Sequence, residues 1–562
     1  MNDDKYRHKW WGWGSAGTEY DMDARPGLWR WIRQIGELGD DPDQRPHVDR
    51  SEIRLPHSRH SDSLASALRL VVGDRNVRDD DDDRLAHCYG RSYRDVARLR
   101  AGIVDRAPDV VVYPGGHDEV VKVIELAGAH GAALVPFGGG TNVAGSVEST
   151  ANDQRPSITL DMRRMNRLLG VDVDSMTADL EPGMFGPQIE AALAPHGVSL
   201  GHHPDSFMYS TLGGWLATRS AGTQSNVYGK IEDMVIGMTV VTPTGVIETK
   251  PLPAASTGPD LNRLLVGSEG AFGVITRATM RVHRVPEYED YRMLLFPTYR
   301  DGFKALHESV REGYTPSLAR LSDESETELM FAAKRPSTGI EGLIQSPVKR
   351  LLKARGYGQP AALVVAFEGP RSLTRELRRG AMAIFKKHRA FDLGTGPGEA
   401  WKESRYDVPY LRDFMMGYGA IADSFETAAV WSNLMPLYEA SRAKLRQVVR
   451  EVTGFEGYIG SHISHLYETG ACLYYTICTR CREGSTPEEA IEQYAEIKRV
   501  VTEAFVSGGG ALSHHHGVGY EHRPWLDREL SPRGVESLRQ LKKALDPDGI
   551  MNPGGLFCTQ RQ

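Results

Sequence analysis

The stretch from Pro136 to Asn142, Pro-Phe-Gly-Gly-Gly-Thr-Asn, limits the folds open to this chain more than any other. Three consecutive glycines expose backbone N–H groups in a tight loop, which suits the binding of a diphosphate. Before the loop, Val110–Pro114 has the pattern of a buried strand, His117–His130 that of an amphipathic helix, and Ala132–Val135 that of a second strand. The sequence therefore predicts a βαβ unit that ends in a phosphate-binding loop. For the glycines taken alone, an ordinary turn is the alternative.

The loop lacks the Gly-Lys-Ser/Thr ending of a Walker A motif, and it is not a G-x-G-x-x-G that opens a helix. Nucleoside triphosphates and ordinary NAD binding are therefore disfavoured. The loop resembles instead that of the vanillyl-alcohol-oxidase type of FAD-binding flavoprotein, in which a glycine run of this kind lies between two strands. The resemblance implies FAD as the cofactor.

Two later segments extend this resemblance. Asp205–Gly214 is rich in small hydroxyl residues and glycine, and a helix is expected from Leu212 to Arg219 with its N-terminus towards the diphosphate; a plain loop and helix cap is the alternative. Gly267–Thr276 is a second Gly-rich entry to a strand. Because no histidine lies in Phe137–Val147, where many relatives tether the flavin, we expect noncovalent FAD.

The cofactor-binding residues predicted from these three segments are Pro136, Phe137, Gly138, Gly139, Gly140, Thr141, Asn142, Asp205, Ser206, Phe207, Met208, Tyr209, Ser210, Thr211, Thr218, Arg219, Ser220, Ala221, Glu269, Gly270, Ala271, Phe272, Gly273, Val274 and Ile275.

At 562 residues the chain is too long for one hydrophobic core. The predicted fold class is α+β: a PCMH-type FAD-binding domain of two α/β subdomains with a mixed α+β cap. Met234–Thr249 reads as a hairpin, Leu437–Val452 as a helix of the cap and Leu473–Ile477 as one of its strands. The expected divisions are an N-terminal extension (1–100), the FAD domain (101–286), the cap (287–495) and a C-terminal segment that returns to the FAD domain (496–562).

The net charge and the composition limit the classes of molecule that this chain is expected to bind. A net charge of -7 leaves no basic excess for nucleic acid. No run of 18 apolar residues and no N-terminal apolar targeting region are present, so we expect a cytoplasmic protein. The acidic run Asp79–Asp83 is predicted to be a solvated loop, with a disordered or regulatory segment as the alternative. The basic segment Pro347–Arg355 is predicted to be a solvated helix face or a contact with an anionic membrane surface. Cys478 and Cys481 have C-x-x-C spacing without a second pair, which favours ordinary thiols over zinc.

Three motifs are more specific than the flavin loops: Pro409–Asp413 (Pro-Tyr-Leu-Arg-Asp), Gly470–Tyr474 (Gly-Ala-Cys-Leu-Tyr) and Ser513–Gly519 (Ser-His-His-His-Gly-Val-Gly). With them the chain resembles the alkyldihydroxyacetonephosphate synthase family over nearly its whole length. In that family the flavin N5 is the nucleophile, the acyl group leaves as a carboxylate, and a fatty alcohol replaces it without net redox change. The resemblance implies a lipid-like phosphate substrate and a fatty alcohol as partners.

The resemblance also assigns roles to residues. It implies that Tyr474 is the acid/base, that Arg412 binds the substrate phosphate, and that His514, His515, His516 and Arg320 support catalysis. Tyrosine has a pKa of about 10, so we expect nearby histidines and arginines to help it act as a base. Arginine suits phosphate because its planar fork forms bidentate bonds.

Alternatives stay open at this point. Three adjacent histidines are compatible with a metal site, but neighbours cannot all face one ion and no cysteine or carboxylate follows at ligand spacing, so no metal is expected. Gly201–Pro204 carries an extra histidine where the family has an acidic residue. The scaffold also serves oxidases and dehydrogenases of hydroxy acids or alcohols, the second hypothesis, and a lipid carrier is the third. A homodimer is a further expectation.

Overall fold

The computed structural model describes residues 3–36, 38, 44–149, 153–334 and 354–557. Most of the basic segment Pro347–Arg355 lies outside these residues, so its predicted structure is not addressed. In the described part, three sheets and a short strand pair are flanked by helices, and the α+β class is confirmed. Among the helices described, none combines the length and the apolar character needed to span a bilayer.

A four-stranded sheet carries the glycine loop. Its strands, in spatial order within the described residues, are Val77–Arg78, Val110–Val112, Ser157–Asp161 and Ala133–Phe137. Val110–Val112 and Ala133–Phe137 both pair in parallel with Ser157–Asp161, and the helix His117–Ala129 connects them, which confirms the predicted βαβ unit. The C-terminal residues also reach this sheet, because the N–H of Leu134 donates to the carbonyl of Ile550 (2.7 Å) and the N–H of Asn552 to the carbonyl of Leu134 (2.8 Å).

The second sheet is antiparallel and has five strands in the described residues. Together with the four-stranded sheet it is called the FAD side here, after the cofactor that the sequence predicts. Its described strands, in spatial order, are Leu168–Asp172, Thr177–Leu180, Val274–Arg281, Val235–Thr242 and Gly245–Glu248. The last two confirm the predicted hairpin. Leu526, Val535 and Phe557 are buried in the same core, so the C-terminal segment packs here too. The domain boundaries themselves stay predictions.

The third sheet is antiparallel and has seven strands in the described residues. In spatial order they are Phe391–Asp392, Tyr288–Phe296, Ala361–Gly369, Leu318–Ser322, Tyr458–Leu466, Gly470–Arg480 and Ala420–Val430. Gly470–Arg480 is longer than the predicted Leu473–Ile477, because it pairs with a neighbour on each side along most of its length. This sheet and the helices packed on it are called the cap here.

The helices of the described residues alternate with these strands. They are Pro26–Ile35, Asp62–Val72, Asp81–Ala86, Tyr93–Arg100, His117–Ala129, Gly186–Leu193, Leu212–Thr218, Ser225–Tyr228, Ile231–Met234, Leu261–Leu265, Tyr299–Arg311, Glu324–Ala332, Arg371–Lys387, Gly396–Ser404, Val408–Met416, Trp431–Thr453, Pro487–Ser507, Gly519–His522 and Leu526–Leu545. The short strands Val198–Ser199 and His283–Arg284 pair with each other in antiparallel orientation.

The acidic run is not a solvated loop, and that prediction is wrong. Asp80 caps the helix Asp81–Ala86 by accepting from the N–H of Asp83 (3.2 Å), and Asp83 is itself buried. Carboxylates at the start of a helix interact favourably with its free N–H groups and its dipole. A run of aspartates therefore begins a helix here.

Candidate active site

One cavity of about 1390 Å³ lies between the FAD side and the cap, and it brings together most of the predicted residues. Pockets for a single small ligand usually measure about 300 to 1,000 Å³, so this volume suits a large cofactor together with a substrate. Residues of the glycine loop line it, and so do Arg320, Tyr474, His515 and His516.

The glycine loop lines the cavity from Pro136 to Asn142. A Cβ on Gly139 would overlap with the backbone carbonyl of Tyr209, so close backbone packing requires glycine there, and one on Gly138 would overlap with the side-chain hydroxyl of Thr211. Asn142 holds the exit of the loop, because its Oδ1 accepts from the N–H groups of Ala144 (3.0 Å) and Ser146 (2.8 Å). In the described part of the chain, the N–H groups of residues 139–142 have no protein acceptor, and they suit an anionic ligand.

The second predicted segment divides between cavity and interior. Asp205, Ser206, Ser210, Thr211, Thr218, Ser220 and Ala221 line the cavity. Thr211 also caps the helix Leu212–Thr218 through its hydroxyl. Four predicted residues are not on the lining: Phe207 packs beneath Gly186, Met208 is 36% exposed, the hydroxyl of Tyr209 accepts from the N–H of Ser15 (3.2 Å), and Arg219 donates to the carbonyl of Arg263 (3.1 Å).

The third segment shows the same division. Glu269, Gly270, Gly273, Val274 and Ile275 line the cavity, whereas Ala271 and Phe272 are buried in the core beneath it. Burial raises the pKa of Glu269 to about 7, although its carboxylate accepts from the N–H groups of Val518 (2.5 Å) and Gly519 (2.9 Å). This side chain therefore connects the flavin side to the loop that bears the histidines.

Tyr474 lies on the strand Gly470–Arg480, and its hydroxyl donates to Ser424 (2.8 Å). Its ring stacks on that of His462, with centroids 4.8 Å apart, and lies 5.8 Å from His515 and 5.6 Å from His516. Burial raises the pKa of Tyr474, while its hydrogen bond to Ser424 and the charge of Arg320 act to lower it. The predicted help from a nearby arginine is therefore in place, and the acid/base role of Tyr474 stays a prediction.

Burial lowers the pKa of His515 to about 3, that of His516 to about 4, and that of His514 well below its usual value. His515 and His516 line the cavity, whereas His514 does not. The Nε2 of His514 lies 2.6 Å from the hydroxyl of Tyr467, and its backbone carbonyl accepts from Lys230 (2.6 Å). The three adjacent histidines thus occupy different environments.

Arg320, which was predicted to support catalysis, is held by residues that the sequence analysis did not identify. It donates to Glu326 (2.5 Å), and Glu326 also lies 3.0 Å from the Nδ1 of His462. Burial acts to raise the pKa of Glu326, but His462 and Arg320 outweigh it and lower that pKa to about 2. Burial acts to lower the pKa of Arg320, but Glu326 outweighs it and raises that pKa. The guanidinium is therefore charged.

Arg412, the predicted phosphate ligand, lies on the helix Val408–Met416 and lines the cavity. Its Nη1 donates to the carbonyl of Arg91 (2.5 Å) and its Nη2 to Asp413 (3.3 Å), while its Nε has no acceptor in the described part of the chain. Asp413 also accepts from the backbone N–H of Trp13, a further cavity residue that the sequence analysis missed. These bonds fix the orientation of the guanidinium and leave its Nε–H without an acceptor among the described residues.

The cavity also has an apolar part. It is lined by Trp31, Ile32 and Ile35 of the helix Pro26–Ile35 and by Leu329, Met330 and Phe331 of the helix Glu324–Ala332. Apolar side chains on two helices of this kind suit a hydrocarbon chain. The sequence analysis assigned no role to either helix.

The residues present fit FAD: a loop of unpartnered N–H groups for the diphosphate, and a cavity long enough to continue to Tyr474. Among the described residues, Glu426, Cys472, His514 and His515 place one metal-ligand atom each within 4.8 Å of one another. Their hydrogen bonds are considered below.

Comparison with known proteins agrees with this geometry. The FAD binding domain family matches residues 108–250, and the C-terminal domain family of FAD linked oxidases matches residues 285–556. The fold and the site therefore define an FAD-dependent flavoenzyme with separate cofactor and cap regions.

Comparison with individual proteins shows to which family of FAD-dependent enzymes the chain belongs. The alkyldihydroxyacetonephosphate synthase of Trypanosoma brucei brucei is 39% identical over 98% of this chain and 92% of its own length, and that of Dictyostelium discoideum is 37% identical over 92% and 85%. A solved structure of alkyldihydroxyacetonephosphate synthase superposes with a TM-score of 0.83 at 32% identity, covering 97% of this chain and 99% of that one. The chain belongs to the alkyldihydroxyacetonephosphate synthase family.

Proposed function

We propose that this chain exchanges the acyl group of acyl-dihydroxyacetone phosphate for a fatty alcohol, forming an ether bond without net redox change. One observation carries the proposal: Tyr474, Arg320, His515 and His516 surround the same cavity as the glycine loop. Membership of the synthase family supports it. Oxidation of a hydroxy acid or alcohol, the second hypothesis, is not favoured by these relatives.

FAD, when bound, supplies the nucleophilic N5 of its flavin ring. Arg412 binds the substrate phosphate, for which its fixed guanidinium gives charge-assisted hydrogen bonds. Tyr474 takes a proton from the substrate carbon and later returns it. Arg320 stabilises the negative charge that develops on the phenolic oxygen, because it is held charged by Glu326.

His515 and His516 act as neutral imidazoles in this scheme, since burial holds their pKa values at about 3 and 4. Each neutral ring has one N–H donor and one acceptor nitrogen, and in His515 the Nδ1 lies 2.8 Å from Nδ1 of His514. They orient the substrate and the leaving carboxylate. The apolar part of the cavity, between Trp31 and Phe331, takes the hydrocarbon chain.

The test is an anaerobic incubation of the purified protein with acyl-dihydroxyacetone phosphate and labelled fatty alcohol, with no electron acceptor. The proposal expects labelled ether product and a free fatty acid in equal amounts, and no lasting loss of the yellow flavin colour. A dehydrogenase or oxidase would bleach on addition of substrate and would need an acceptor to turn over. Binding of both lipids without product would instead fit a carrier.

Noncovalent FAD is part of the proposal. Acid precipitation should leave a colourless pellet and release all flavin into the supernatant, and colour that stays in the pellet would refute it. We also propose a cytoplasmic location. Contact of the segment 347–355 with anionic membranes and homodimer formation stay predictions, which vesicle sedimentation and light scattering test.

A further inference from the structure

The loop Ser513–Gly519, called the histidine loop here, is held between two buried carboxylates that the proposed mechanism does not use. Glu426, on the cap strand Ala420–Val430, accepts from the hydroxyl of Ser513 (2.7 Å) and from the backbone N–H groups of His514 (2.6 Å), His515 (3.1 Å) and His516 (3.0 Å). Glu269, on the FAD side, accepts from Val518 and Gly519. Five backbone N–H groups of one short loop therefore point at two acidic side chains.

Glu426 also has a fixed relation to Tyr474. The two residues are directly opposite each other on paired antiparallel strands. The side chain of Glu426 is fully enclosed, with 0% of its surface exposed, so it cannot exchange its partners for water. Charge-assisted hydrogen bonds to a buried carboxylate are among the stronger ones in proteins. One enclosed side chain thus connects the strand position opposite Tyr474 to the backbone of the histidine loop.

We infer that Glu426 is a positioning residue, which holds the backbone of residues 514–516 so that the rings of His515 and His516 stand at the cavity beside Tyr474. This inference rests on the proposed function, because it concerns the same site. The two rings lie within about 4 Å of Glu426, with Nδ1 of His515 at 3.9 Å and Nδ1 of His516 at 3.8 Å from its oxygens. The carboxylate itself does not line the cavity and so does not touch substrate.

A metal site in the same place is the alternative. Cys472 and His514 join Glu426 and His515 in a set whose ligand atoms lie within 4.8 Å of one another. However, Oε1 of Glu426 accepts from three donors and Oε2 from one. The ring nitrogens of His514 are also engaged, because Nε2 lies 2.6 Å from the hydroxyl of Tyr467 and Nδ1 lies 2.8 Å from Nδ1 of His515. Four donors thus already reach a carboxylate that has about four acceptor positions. The geometry is that of an anchor for N–H groups.

The experiment compares Glu426→Gln with Glu426→Asp and with a matched control. Gln keeps the size but replaces one acceptor oxygen by an N–H donor that faces backbone N–H groups, whereas Asp keeps the charge on a shorter side chain. The control is Asp290→Asn, since Asp290 is a buried carboxylate of the same sheet that pairs with Arg292 and Arg378 and does not line the cavity.

Glu426→Gln is expected to lower kcat by about 100-fold, because a shift near 1 Å of groups that act on substrate has this size of effect. KM for acyl-dihydroxyacetone phosphate and FAD content should stay within about threefold, because neither Arg412 nor the glycine loop contacts Glu426. Glu426→Asp should recover part of the loss, and Asp290→Asn should leave kcat within about threefold. An unchanged kcat in Glu426→Gln, an equal loss in the Asp and Gln variants, or a rise in KM alone would overturn the inference.

Hydrogen exchange gives a readout that does not need the ether reaction. In Glu426→Gln the peptide that contains residues 513–519 should exchange its amide hydrogens at least about tenfold faster, while Asp290→Asn leaves that peptide unchanged. If the parent protein makes no ether product, the proposed function fails, and the exchange result still decides whether Glu426 anchors the loop. A stoichiometric metal ion in the purified parent that is lost from Glu426→Gln would overturn the inference in favour of a metal site.

Discussion

Replacement of Tyr474 by phenylalanine separates chemistry from structure at this site. The change removes one hydroxyl, whose described hydrogen bond is the one to Ser424 at 2.8 Å, and it keeps the ring that stacks on His462. A typical hydrogen bond contributes about 1 kcal/mol net, so the variant should lose about that much stability. Loss of a general acid/base, in contrast, lowers the rate about 100-fold to 10,000-fold, equivalent to roughly 3 to 5 kcal/mol of activation free energy.

Tyr475→Phe is the matched control, because the neighbouring tyrosine points to the other face of the same strand. Its hydroxyl donates to the carbonyl of Tyr438 (3.1 Å) and lies 2.8 Å from the hydroxyl of Ser441, and it is fully buried away from the cavity. We expect Tyr475→Phe to cost about 1 to 3 kcal/mol of stability, since buried partners lose their bonds, with little change in rate.

The assay is ether product formed per FAD, measured beside thermal unfolding of both variants. Tyr474→Phe should unfold at a temperature close to that of the parent and lose nearly all activity. Tyr475→Phe should unfold at a lower temperature and keep most of its activity. If Tyr474→Phe binds FAD normally and keeps its rate within about tenfold of the parent, the expected acid/base contribution is absent and the tyrosine is structural.

Three further predictions concern charged groups. Arg412→Lys should weaken the phosphate-bearing substrate by about 1.5 to 3 kcal/mol with FAD content unchanged, because a lysine cannot reproduce the fork; equal KM values would contradict this. Glu326→Gln should lower the free energy of unfolding by about 3 kcal/mol, measured by urea unfolding. This is the low end for breaking a buried ion pair, because the side chain of Arg320 is 21% exposed. A loss under about 1 kcal/mol would count against a stabilising pair. Glu269 has a pKa raised from 4.5 to about 7, so its folded state retains a proton that the unfolded state loses. The stabilisation from this bound proton is therefore complete below pH 4.5 and is lost as the pH rises past 7. The difference in unfolding free energy between the parent and Glu269→Gln should fall by roughly 3 kcal/mol over that range. A difference that does not change with pH would show that the carboxyl is not protonated.

The glycine loop and the strands around it could be predicted because their pattern is local. Val110, Ile124 and Leu134 follow the periods of strand and helix, and glycine is required wherever backbone packs on backbone, as at Gly139. Individual lining residues within each segment were less predictable. The residues of a turn do not face one side in a regular period, so Thr211 lines the cavity while Phe207 fills the core.

The supporting carboxylates could not be predicted by the same reasoning. Glu326 is six residues from Arg320 but 136 from His462, and Glu426 is 88 residues from His514. Only strand pairing brings Glu426 opposite Tyr474. The available indications were the acidic residues Asp423 and Glu426 within a segment of mostly apolar residues, and the two Ser-His pairs at residues 461–462 and 464–465. The protonation of Tyr474 was also out of reach, because it depends on burial that the sequence does not show.

The histidine loop is fastened at one end to the cap by Glu426 and at the other to the FAD side by Glu269. Neither half of the protein therefore contains a finished site. A chain whose FAD side has folded but whose cap has not docked would bind flavin and yet present no ordered imidazoles to it. If the FAD side folds first, flavin colour should appear before activity, and the delay between the two would measure how long the cap takes to dock.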